Sequence, residues 1–185
     1  MTRKIAQLGL FLALALILAY VESLIHFSFG IPGIKLGLPN LIVVMLLYQR
    51  ANEQNGTVSS DRYWFGAKDA ILVNTLRIVL SGFLFSNLYT IMYSLAGAAL
   101  SIVAMLLGRR FRCFSVVGVS VLGGVFHNIG QILVAMFVVE TVYVGYYVPV
   151  LIVAGTVTGA VLGIVVMEFM PYIVRLSEHG RRVEG

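Results

Sequence analysis

Six apolar stretches separated by short polar or basic connections constrain this chain more than any other feature. They cover about residues 5–25, 38–48, 65–85, 89–107, 114–139 and 143–174. A bilayer core about 30 Å thick is crossed by roughly 20 apolar residues rising 1.5 Å each. The second stretch falls short of that, and its entry is broken by Pro32, Gly33, Gly37 and Pro39, so it is expected to be tilted or interrupted. The sixth exceeds it and should emerge from the bilayer beyond Pro171. Only 11% of the 185 residues are charged, against about a quarter in soluble domains. The expectation is a single all-α integral membrane domain over residues 1–185: a six-transmembrane-helix bundle in the lipid bilayer.

Charge placement sets the expected orientation. Arg3, Lys4, Arg50, Arg62, Lys68, Arg109, Arg110, Arg112, Arg175, Arg181 and Arg182 fall at the amino end, the second and fourth connections, or the carboxyl tail. The opposite side carries only Lys35 in its connections. Basic residues stay cytoplasmic, so both termini are expected in the cytoplasm of a multi-pass protein of the cell membrane. The same distribution argues against a nucleic-acid partner, because the positive charge follows helix ends rather than one face. Met1-Thr2-Arg3-Lys4 before an apolar run resembles a signal peptide, but the run is long enough to be a retained first helix. Asn55-Gly56-Thr57 is read as turn chemistry in a cytoplasmic connection, and the single cysteine, Cys113, excludes a disulfide within the chain.

Polar residues inside the apolar stretches are the candidates for function. The fifth contains Gly123-Gly124-Val125-Phe126-His127-Asn128-Ile129-Gly130-Gln131, a histidine and two carboxamides where the surroundings should be hydrocarbon. Such groups are costly unless they face protein or a wet cavity. Glu22, Asn40, Asn74 and Arg77 accompany them. Under the expected topology all seven, with Lys35 above, converge on the outer half of the membrane as a ligand-binding constellation. Asn74 and Arg77, and likewise Asn128 and Gln131, are three residues apart and share a helix face. Arg77 stays protonated and requires an anion: either Glu22 or an acidic group of a ligand. The plainer reading makes Asn128 and Gln131 interhelical hydrogen-bond partners and His127 a satisfied bundle histidine. The first connection, 26–39, is semi-apolar and glycine-rich, and reads as either a lid over an outward pocket or a re-entrant packing loop. Glu168 is expected to reach water from the inner end of the sixth helix.

Small residues recur at helical spacing. Gly155, Gly159 and Gly163 align on one face of the sixth stretch and are expected to let another helix of the bundle approach closely. Ala15 and Ala19 form a similar stripe in the first, and are a candidate docking face for another membrane subunit. Catalysis and cofactors find little support. Asp61 and Asp69 are the only aspartates, too few to hold magnesium on a diphosphate, and there is no glycine-rich nucleotide loop. His26, His127 and His179 are far apart, so no metal site or haem is expected.

Val21–Ile25, Phe29–Asn40 and Gly123–Gln131 together resemble a bacterial membrane family described as Gx transporter or heptaprenyl diphosphate synthase component I. That family is similar to the S components of energy-coupling-factor (ECF) vitamin transporters. The resemblance implies six helices, an outer pocket covered by a lid at Phe29–Pro39, ligand contacts from Asn128 and Gln131, and docking through Ala15 and Ala19. The expected partners are a transmembrane coupling subunit with ATPases, and the expected function is capture of a small vitamin-like or anionic nutrient for ATP-driven uptake. The alternative is a non-catalytic membrane subunit serving isoprenoid or quinone metabolism or a flavin-linked electron-transfer complex.

Overall fold

The computed structural model describes residues 2–24, 37–48, 65–111 and 114–182. Six α-helices follow in order: α1 (Thr2–Leu24), α2 (Asn40–Tyr48), α3 (Ala67–Phe85), α4 (Leu88–Arg110), α5 (Val116–Val138) and α6 (Val148–Arg182), the last preceded by a 3₁₀ turn at Val142–Tyr147. Among the described residues there is no strand.

Among the described residues four segments are long and apolar enough to cross a membrane: Lys4–Leu24, Leu88–Arg110, Val116–Val138 and Val142–Tyr172. The other two helices do not meet that measure over their described residues. Helix α2 is described over nine residues, about 14 Å of rise, which is short of a crossing. Helix α3 has the length, but Lys68, Asp69 and Arg77 interrupt its apolar character. Helix α2 is largely buried against α3, α5 and α6, whereas α3 packs on α1 and α4 and leaves Ile71, Leu72, Leu76 and Leu84 exposed.

Local chemistry fixes the helix starts. The Asp69 carboxylate accepts from the Gly66 N–H at 2.9 Å and closes the first turn of α3. Asn87 accepts from the Thr90 N–H at 2.9 Å to cap α4, and Ser115 accepts from the Gly118 N–H at 3.3 Å to cap α5. Such caps satisfy donors that have no partner within the helix. Helix α6 continues through Pro171 to Arg182. Proline removes one rung of the ladder there without ending the helix.

Two contacts define one end of the bundle. Lys4 pairs with Asp69 at 2.9 Å, joining the amino ends of α1 and α3. Arg109 donates to the Leu47 carbonyl at 2.5 Å, joining the carboxyl ends of α4 and α2. The apolar core lies between, with Phe11, Val43, Leu46, Leu47, Val73, Met105 and Val166 buried together.

Glycine seams hold the long helices. A Cβ placed on Gly159 would stand 2.6 Å from the Cα of Val121, and one on Gly155 would stand 2.8 Å from the Gly124 carbonyl oxygen. Gly163 is equally close to the Cα of Val117. The stripe on α6 is thus an internal seam against α5, as small-residue faces in lipid require backbones to approach. Gly130 fits against Ala96 and Gly97 in the same way and brings α5 onto α4.

The docking face expected at Ala15 and Ala19 is not on the surface. Each is only 2% exposed, and Ala15 belongs to the core with Val43 and Val73. These alanines let α1 settle onto its own neighbours, while Ile5, Leu10, Leu14, Ile17 and Tyr20 form its outward face.

Candidate functional site

The half of the bundle remote from the Lys4–Asp69 pair holds seven buried polar groups expected from the sequence. Glu22 comes from the last turns of α1, Asn40 from the first residue of α2, Asn74 and Arg77 from α3, and His127, Asn128 and Gln131 from α5. All seven are at least 95% buried. Lys35 and most of the lid expected at Phe29–Pro39 lie outside the described residues; Gly37, Leu38 and Pro39 remain.

Those three residues join the cluster. Gly37 has φ of 83°, a left-handed conformation that glycine adopts without penalty. The turn directs the Gly37 N–H to the Glu22 carboxylate, which also accepts from the Leu38 N–H at 3.4 Å. A Cβ on Gly37 would meet Asn40 Nδ2 at 3.2 Å and His127 Cδ2 at 3.5 Å, so α1, α2 and α5 meet at this point. One turn along α5, Gly97 of α4 touches both the His127 ring and the Gln131 side chain; its missing Cβ would lie 2.9 Å and 3.0 Å from them.

Arg77 donates from Nη2 to Asn74 Oδ1 at 2.6 Å, so Asn74 serves the guanidinium. Glu22 and His127 both lie within electrostatic reach of Arg77. Of the two, only the Glu22 carboxylate compensates the buried guanidinium. Asn128 donates from Nδ2 to the Leu151 carbonyl at 2.8 Å and ties α5 to α6. That part of Asn128 is interhelical glue.

The remaining capacity is unspent. Among the described residues, Asn40 Nδ2 and Oδ1, Arg77 Nε, His127 Nδ1, Asn128 Oδ1, Gln131 Nε2 and Oε1, and Ser101 Oγ are buried without a hydrogen-bond partner, and so, toward the opposite end of α1, is Gln7 Oε1. Native interiors leave few such atoms, and a concentration of them in one place requires a reason. Binding is one, since groups prepared to recognise a polar molecule must be left unsatisfied by their own protein.

Sequence reasoning placed Glu22, Asn40, Asn74, Arg77, His127, Asn128 and Gln131 together but missed Ser101, which is completely buried on α4. Its signal was weak, because serine is ordinary in membrane helices. The four-residue step from Gly97 to Ser101 and on to Met105 puts all three on the face that meets α5. Glu168 is exposed and plays no part. Among the described residues no three His, Cys, Asp or Glu side chains gather as a metal site would need. An open groove of about 260 Å³ lies elsewhere, bordered by Leu100, Val103, Leu107, Phe111, Phe114 and Phe126. Its apolar lining has nothing for a polar ligand.

Comparison with known proteins adds one finding. The family model for heptaprenyl diphosphate synthase component I matches residues 11–169, which include every site residue named above. The chain belongs to that family. No curated protein and no solved structure matches it.

Proposed function

We propose that this chain is a membrane-embedded binding subunit with no chemistry of its own, which captures a small polar molecule at the buried cluster. The observation that carries this reading is the set of unpartnered buried carboxamide and guanidinium atoms on α2, α3 and α5, of which Asn40 lies beside the Gly37 turn and Gln131 beside Gly97. Six membrane segments with both termini cytoplasmic fit the charge distribution, and place the cluster toward the outer side. On that arrangement α2 is a protein-sheltered segment and α3 turns Ile71, Leu72, Leu76 and Leu84 outward. Lys68 and Asp69 sit at the inner end of α3, where they reach headgroups, and Arg77 faces the bundle. The molecule would then pass to a transmembrane coupling subunit and its ATPases, as in the S components of ECF transporters. With Ala15 and Ala19 inside, the outer face of α1 around Leu10, Leu14 and Ile17 is the better surface for that partner.

The family's description favours a second reading, an accessory membrane subunit of a prenyl diphosphate synthase. The chain would not catalyse condensation, since Asp61 and Asp69 are its only aspartates and cannot supply the carboxylate pairs that hold magnesium on diphosphates. Crosslinking the full chain in native membranes, followed by purification, separates the two. A coupling subunit with ATPases is the expected catch; a soluble prenyl synthase in its place would overturn the transport reading.

A further inference from the structure

We infer that the molecule bound at this cluster is uncharged and presents N–H donors beside carbonyl acceptors along one edge, as a lactam, imide, cyclic urea or primary carboxamide does. This rests on the binding reading above and deepens it. The inference comes from counting what the cluster has left to give. Its unpartnered donors are Asn40 Nδ2, Gln131 Nε2 and Arg77 Nε; its unpartnered acceptors are Asn40 Oδ1, Asn128 Oδ1 and Gln131 Oε1, with Ser101 Oγ and His127 Nδ1 able to serve either way. Donors and acceptors are balanced. A ligand made only of acceptors, such as a diphosphate or a quinone, would satisfy the donors and leave three carboxamide oxygens buried with nothing to accept. A buried acceptor without a donor carries the full desolvation penalty. An edge with both kinds of group satisfies each amide in the way amides pair with one another.

Charge leads the same way. Within the described cluster the Arg77 guanidinium is the one cation and the Glu22 carboxylate lies within its electrostatic reach. The pair is close to neutral as a unit. A diphosphate would introduce several negative charges against that single compensated arginine, in a region where unpaired charge is most costly. Asn74 already holds one arm of Arg77, which leaves Nε as a directed donor.

Ligand-observed saturation-transfer NMR on the full chain in lipid nanodiscs tests this. The probes are uracil and imidazolidin-2-one, their N,N′-dimethyl counterparts, inorganic diphosphate and geranyl diphosphate. Uracil or imidazolidin-2-one should give transfer that weakens about tenfold when both N–H groups are methylated. It should disappear in Gln131→Met, a variant of similar side-chain length without donor or acceptor. Equal transfer from the methylated probes, or no transfer from either parent compound, would overturn the inference. Transfer from a diphosphate that depends on Arg77 would also overturn it, yet would leave the binding reading standing. If no probe binds and the purified chain retains no small molecule, both fall.

Discussion

Replacing Gln131 by methionine separates a binding group from a structural one. Gln131 is fully buried, and neither Nε2 nor Oε1 has a partner among the described residues. If the amide is held in reserve for a ligand, the protein without ligand bears the cost of burying it, on the order of 1–3 kcal/mol. The low end applies, because in a membrane polar side chains find partners in the unfolded state as well. Methionine has a comparable unbranched length and tolerates irregular surroundings, so it should fit beside Gly97 with little strain. The variant should gain roughly 1 kcal/mol when empty, a rise of about 2–4 °C in Tm on the scale of chains this long. It should also lose ligand binding. Thermal unfolding in mild detergent, with size exclusion to verify a monodisperse bundle, reads the first effect; retention of small molecules reads the second. A fall in Tm would refute the reasoning, because it would mean that Gln131 already satisfies its amide within the bundle and serves as glue between α4 and α5.

Other expected outcomes follow from individual contacts. Arg77→Gln should destabilise the protein by about 3–5 kcal/mol because it strands the Glu22 carboxylate, and Glu22→Gln in the same chain should restore part of that loss. A double-mutant cycle by chemical denaturation should give a coupling of roughly 0.5–3 kcal/mol between the two positions, and additive effects would contradict the pairing. Gly159→Leu should disrupt the α5–α6 seam, since its Cβ would stand 2.6 Å from the Val121 Cα, and unfolding should occur at visibly lower temperature. Gly9→Ala, with nothing within 4 Å of the new methyl group, should instead stabilise α1 by about 0.5–1 kcal/mol in the same assay. A membrane-impermeant maleimide should label Cys113 only from the cytoplasmic side; labelling from outside would reverse the orientation.

How far the sequence could be read depended on which interactions decided each feature. The long helices were legible because length and apolarity decide whether a segment suits a bilayer, and both are local. The α6 glycine stripe was legible because four-residue spacing places it on one face whatever that face meets. The partner of a face is not local. Ala15 and Ala19 read equally well as an external docking surface, and only the position of α1 against its neighbours turns them inward. Helix α2 shows a similar limit, since a nine-residue helix is stable only because α3, α5 and α6 surround it. For the site, depth along each helix predicted that Glu22, Asn40, Arg77 and Gln131 share a level. It did not predict that Asn74 would be spent on Arg77, or that Asn128 would give one of its two polar atoms to the Leu151 carbonyl. Ser101 was hidden by its ordinariness.

The central claim is that the buried carboxamides around Gln131 are kept free for a small molecule. Native mass spectrometry of the full chain, extracted gently from its own membranes and released from detergent in the gas phase, tests it most directly. The account predicts one small, uncharged, nitrogen-bearing compound bound in a 1:1 ratio to the wild type and missing from Gln131→Met. Bare protein in both preparations, or an identical adduct on both, would contradict it.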